Sequence, residues 1–258
     1  MTLPSPSLPP HAPGAGPGPA LQRHRLVTLA EAGWAQVLAR PWDEEAAACL
    51  AHWAAHRLPL VVARQPPEPA QPAACDGTVA LGLPAPLRWS RRRIALQVPR
   101  SLLHAGAAAF PTMAAVAPLL APQAAPAWHA LQQRLARLGC TARVYGGHGW
   151  QTLTGLPYLH ATSDLDLLLP VADAQAADAV VRCLAQADGA APRLDGELVF
   201  PDGAAVAWRE WRAWRAGAAA GVLVKRLRGA RLEHGSSWIA GLDAVDGGGV
   251  AAAAELAA

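Results

Sequence analysis

Apolar residues in this chain recur at two periods, and the alternation between them marks out a series of helices and strands. Between Glu31 and His56, Trp34, Val37, Leu38, Leu50 and Trp53 stand among alanines at helical spacing. The run breaks at Arg40-Pro41, because proline drives the residue before it out of the helical region. Leu58–Arg64, Thr78–Leu83 and Arg91–Val98 read as strands and, with those helices, predict a small α/β unit. The apolar stretch Met113–Leu120 predicts an inter-domain helix or linker. Beyond it, Ala127–Leu138 carries Trp128, Leu131, Leu135 and Leu138 on one helical face, with Gly139 as its stop. Ala174–Ala187 predicts a second amphipathic helix with Val180, Val181 and Leu184 inward. Glu197–Phe200, the turn Pro201-Asp202-Gly203 and Ala205–Trp211 predict a hairpin, and Gly221–Leu227 a last strand.

Residues 1–22 are too dense in Pro, Gly and Ser for a persistent element and read as a disordered leader; the alanine-rich residues 246–258 read as a frayed tail. The ordered part divides into an N-terminal domain over 23–115 and a larger domain over 125–245. Much of the 52% hydrophobic content is alanine, and the net charge of +3 makes the surface mildly basic, which suits phosphate-bearing partners without requiring them. The four cysteines lie far apart, which favours free thiols over a zinc site or disulfide framework. No apolar run reaches the ~18 residues of a membrane span, and the first residues lack a secretory pattern, so a cytoplasmic protein without a membrane partner is expected. The ten tryptophans are dispersed and mostly at core spacing, which argues for packing and against stacking on nucleic acid.

The chemistry concentrates in Val144-Tyr145-Gly146-Gly147-His148-Gly149-Trp150 and, farther on, Ser163-Asp164-Leu165-Asp166-Leu167-Leu168-Leu169. The first reads as a strand, a glycine turn and a helix start, whose unpaired N–H groups and dipole favour phosphate at Gly146 and Gly147. The second reads as an apolar strand with Asp164 and Asp166 on one face, about 6.6 Å apart along it. Two parallel carboxylates repel unless a cation lies between them, and an oxygen-rich set suits Mg²⁺ acting on phosphates, two ions in the fullest arrangement. A third carboxylate is then sought: Glu210 shares a strand face with Val206 and Trp208, while Asp195 and Glu197 are rivals. Lys225, the only lysine, interrupts the apolar Val222-Leu223-Val224, which either a phosphate contact or a snorkelling side chain explains.

Glycine pair, helix, Asp-x-Asp strand and later carboxylate strand together resemble the polymerase-β-type nucleotidyltransferase superfamily, with a longer spacer between glycines and aspartates. The spacer residues Trp150-Gln151, Thr154-Gly155-Leu156 and Tyr158-Leu159 narrow the match. With the Asp164–Leu168 strand, Pro192–Glu197, Ala207–Trp211, Arg23-His24 and Arg92–Gln97, the chain from Arg23 to about Leu232 resembles the phosphoribosyl-dephospho-CoA transferases of malonate decarboxylase systems, the holo-acyl-carrier-protein synthases. The resemblance implies an α+β fold, a nucleotidyltransferase-like mixed sheet with flanking helices preceded by the smaller α/β domain. It also implies that Asp164 and Asp166 are the active-site pair. In that family the position of Gly147 is more often serine. The activity implied is transfer of the prosthetic group from triphosphoribosyl-dephospho-CoA to a serine of the decarboxylase's acyl-carrier subunit, with diphosphate released. The N-terminal domain, with Arg91–Arg93, is expected to grip the CoA-like arm or dock the carrier. Rival readings are a nucleotidyltransferase with a small-molecule acceptor and a non-catalytic nucleic-acid-binding protein on a degenerate transferase fold.

Overall fold

The computed structural model describes residues 21–67, 77–104, 109–188 and 192–239. Residues 1–20 of the leader, the whole tail, Cys75 and part of the Pro-rich stretch after Gln65 lie outside the described residues. Two sheets organise the chain. The first is antiparallel, ordered β4-β3-β2-β1-β5, from β1 (Leu26–Leu29), β2 (Leu60–Val62), β3 (Thr78–Pro84), β4 (Arg93–Pro99) and β5 (Leu103–His104). The helices α1 (Glu31–Leu38) and α2 (Glu44–Ala55) bury Trp34, Val37, Cys49, Leu50 and Trp53 in the same core as β1–β4. Asp43 caps α2 by accepting from Ala46 N, as a carboxylate at a helix start should.

The second sheet has six strands ordered β11-β10-β9-β8-β7-β6: β6 (Arg143–Tyr145), β7 (Leu165–Pro170), β8 (Leu194–Val199), β9 (Ala205–Ala207), β10 (Val222–Arg226) and β11 (Gly229–Glu233). It is mixed, since β7 and β8 run parallel while the other neighbours are antiparallel. The parallel pair needs a crossover, and α6 (Ala174–Ala187) supplies it. Together with α4 (Ala125–Arg137), α6 buries a second core against Leu165, Leu167 and Leu169, the β7 face opposite Asp166. The α+β class with a mixed second sheet is therefore as expected.

The expected inter-domain stretch belongs instead to this second core: α3 (Met113–Val116) buries Met113 and Val116 there. The hairpin forms across the predicted turn, but its second strand stops at Ala207. From Trp208 to Arg215 the chain is a helix, α7, because Trp208 and Trp211, three residues apart, are both fully buried on one face. Burying each indole removes roughly 200 Å² from water, about 5 kcal/mol gross, enough to decide a segment this short. Among the described residues no helix is long and apolar enough to cross a membrane.

One glycine holds the site's scaffold together by its smallness. α5 (Gly146–Thr154) packs so closely on β6 that a Cβ on Gly149 would overlap the Val144 carbonyl. Gly149→Ala gains up to ~1 kcal/mol of helix propensity but overpacks backbone against backbone at ~1–3 kcal/mol. A net loss of about 1–2 kcal/mol in a urea titration is expected; a stabilised variant would show that α5 can lift from β6 at no cost.

Candidate active site

Strand register creates the site. In β6, β7 and β8, Tyr145, Asp166 and Asp195 lie side by side, and the next row on the same face holds Arg143, Leu168 and Glu197. Asp164 stands one residue before β7, its carbonyl in contact with the buried His148 Nδ1 at 3.1 Å. The loop before it is closed by His160 N donating to Ser163 Oγ. At the mouth of α5, Gly146 adopts φ +60°, and a Cβ there would overlap the Asp166 carboxylate. The carboxylate therefore sits directly against the glycine bend, and only a residue without a side chain lets them meet. Gly147 is in the first turn of α5, where a Cβ would approach Leu159 Cδ2 to 3.3 Å.

Asp166 is half-buried among other acids. Burial, then Asp195, Asp164 and Glu197, push its carboxyl up from the usual 3.8 to about 6, against a smaller opposing effect of His24. Glu197, on the next row, goes the other way. Burial alone would raise it, but hydrogen bonds from His24 and Lys225 outweigh burial and hold it down at about 2. Its side chain receives Lys225 Nζ at 2.7 Å on Oε1 and His24 Nε2 at 2.9 Å on Oε2, with Arg23 at 3.9 Å. His24 comes from the N-terminal domain, has φ +60°, and lays its ring 4.9 Å from that of Tyr145. A non-glycine residue in this backbone region stores strain that its contacts must offset, so the domain junction is fixed at the edge of the acidic row.

Two sequence expectations give way. Glu210 is on α7, not on a strand face shared with Val206; it is exposed, and its carboxylate accepts from Leu223 N at 3.3 Å. Asp195, the rival, has the place beside Asp166. Lys225 has a protein partner, Glu197, where the sequence suggested a phosphate, and Glu197 is thereby committed as well. Arg92 is engaged by Asp43 and Glu45, away from the acidic row. Among the described residues no three His, Cys, Asp or Glu side chains already converge tightly enough to hold a metal ion. Asp164, Asp166 and Asp195 nevertheless form an oxygen-only set whose mutual repulsion is visible at Asp166, and that chemistry fits a hard divalent cation.

A glycine bend thus lies against clustered carboxylates beside the contacts that join the two parts of the chain. Models described as the N-terminal and C-terminal domains of phosphoribosyl-dephospho-CoA transferase MdcG match residues 22–108 and 111–235. The chain belongs to the phosphoribosyl-dephospho-CoA transferase family. A protein of that name from Xanthomonas campestris pv. campestris (strain 8004) is 42% identical over 81% of this chain and 92% of its own length. One from Bradyrhizobium diazoefficiens is 37% identical over 85% and 92%, and one from Pseudomonas putida (strain GB-1) 37% over 70% and 84%. No solved structure matches the chain.

Proposed function

We propose that this transferase moves the phosphoribosyl-dephospho-CoA group from triphosphoribosyl-dephospho-CoA to a serine hydroxyl of the acyl-carrier subunit of malonate decarboxylase, releasing diphosphate. The observation that carries the reading is the Asp166 carboxylate against the Gly146 bend, with Asp195 beside it in register. The names of the relatives support the identity of the group transferred.

In this reading the first N–H groups of α5, opened by Gly146 and Gly147, bind the distal phosphates of the donor. Asp164, Asp166 and Asp195 would hold Mg²⁺, which when bound neutralises phosphoryl charge and favours departure of diphosphate. The serine Oγ bonds to the α-phosphorus, the bond to the β-phosphate oxygen breaks, and the hydroxyl proton is lost to solvent. His148 fixes the backbone at Asp164, and the pairing of β7 with β8 fixes the gap between Asp166 and Asp195. Glu197, Lys225 and His24 take no part in chemistry; they hold the two domains in place around it.

Mass spectrometry of the apo carrier subunit, incubated with this protein, Mg²⁺ and the triphosphoribosyl donor, tests the reading. The expected result is a phosphoribosyl-dephospho-CoA adduct on one serine, absent when Asp164 or Asp195 is replaced by Asn. An unmodified carrier, or label on a small molecule only, overturns the acceptor assignment.

A further inference from the structure

A cleft of about 460 Å³ opens between the chain segment entering β1 and the second sheet. Arg23, His24 and Arg25 form one wall, and Arg143 stands on the other. No carboxylate is among its described lining residues, and Glu197, which His24 of the wall contacts, is already matched by Lys225. The floor is apolar, made by Leu168, Pro170 and Val199 with Phe110 at the side. Leu168 and Pro170 are two and four residues along β7 from Asp166 on the same face, so the cleft begins roughly 7 Å from that carboxylate and extends to about 13 Å. Two donors on its walls are underused. Among the described residues Arg23 Nε is buried without a hydrogen-bond partner, and the Arg143 guanidinium makes one long bond, 3.3 Å to the Phe110 carbonyl. Guanidinium groups over an apolar floor fit a diphosphate joined to an uncharged, largely apolar chain.

We infer that this cleft is a second donor subsite, which holds the diphosphate and pantetheine arm of the dephospho-CoA half while the triphosphate end lies at Gly146 and Asp166. The inference rests on the donor named in the proposed function, but it assigns a separate place and separate residues to the half that does not react. It also moves the gripping role expected of Arg91–Arg93, which lead into the edge strand β4, to the segment entering β1. The two subsites share one sheet face, so a donor spanning them is held at both ends, and binding energy from the remote end serves to orient the reacting phosphate.

Calorimetry on the full chain with two probes separates the ends: dephospho-CoA alone for the cleft, and inorganic triphosphate with Mg²⁺ for the glycine bend. Arg143→Gln is expected to weaken dephospho-CoA about tenfold, with triphosphate binding unchanged. Arg143→Lys should recover part of the loss. Thr141→Trp, at an exposed position on the rim, narrows the cleft without touching a core and should weaken dephospho-CoA as well. Dephospho-CoA that fails to bind the wild type, binds all three variants equally well, or is lost in parallel with triphosphate overturns the subsite. Failure of the transfer reading appears elsewhere, as an unlabelled carrier with the complete donor, and leaves the dephospho-CoA result standing.

Discussion

Asp166→Asn is expected to abolish transfer and, in metal-free buffer, to make the protein more stable. The first effect follows from removing a charge from the carboxylate set that, in the proposed function, faces the phosphates, worth several kcal/mol of barrier or on the order of a thousandfold in rate. The second follows from the crowding of that set. With its carboxyl raised from 3.8 to about 6, Asp166 contributes stability that is fully present below pH ~4 and is lost as pH rises through about 6. At pH 8 the ionised side chain therefore costs roughly 2–3 kcal/mol, and asparagine, isosteric and neutral, removes that cost. Urea titrations in chelator should show the wild type losing stability between pH 4 and 7 while the variant stays flat across that window. Adding Mg²⁺ should restore the wild type only. A variant less stable than wild type at pH 8 would mean that Asp166 has attractive partners outweighing its acidic neighbours.

The local parts of this arrangement are written in local sequence. Asp173 followed by apolar positions at helical spacing specifies α6 to its ends, and the cap is made as the residue type demands. Pro201-Asp202-Gly203 specifies the turn, with Gly203 at φ +81°. Trp208 defeats the same method because it lies both two residues after Val206 and three before Trp211, so alternation and helical spacing coexist in a segment too short to separate them. β11 escapes because all five of its residues are charged, small or exposed, as an edge strand's often are, leaving no apolar alternation to read. The site divides along the same line. Asp164, Asp166 and the glycine bend are within one contiguous stretch and were legible. The neighbour of Asp166 was not, since Asp195 reaches it only through parallel pairing across a crossover helix. Nothing near His24 in sequence announces a contact with Glu197, 173 residues away. Asp195 and Glu197, rivals in the sequence, share one face of β8, and what separates them is not local: Glu197 is held by Lys225 from β10 and by His24 from the other domain, whereas Asp195 has Arg193 at 3.6 Å.

Glu197→Ala is expected to be the most damaging single change outside the chemistry, because it strips the shared partner from Lys225, His24 and Arg23 at once. Glu197 is 5% exposed and is held by Lys225 and His24 from opposite oxygens. Removing one member of a buried ionic cluster costs about 3–5 kcal/mol; Lys225, with 27% of its side chain exposed, can turn partly to water, so the low end applies. Glu197→Gln keeps the shape and should cost less, yet it must also change the acid limb of stability. Because Glu197 is lowered from 4.5 to about 2, its contribution is present above pH ~4.5 and is lost as pH falls through about 2. Denaturation curves between pH 2 and 7 should therefore converge for wild type and Gln variant at the acid end and diverge by about 2 kcal/mol above pH 5, with the gap opening in that window. Curves that stay parallel throughout would mean that the ion cluster contributes nothing to joining the domains. The comparison with Asp166 gives the physical logic of this sheet face. Two carboxylates one register row apart are driven in opposite directions, one by the cations that reach it and the other by the acids that surround it. The first carboxylate ties the junction together, and the second stays among acids, the arrangement that the proposed function fills with Mg²⁺.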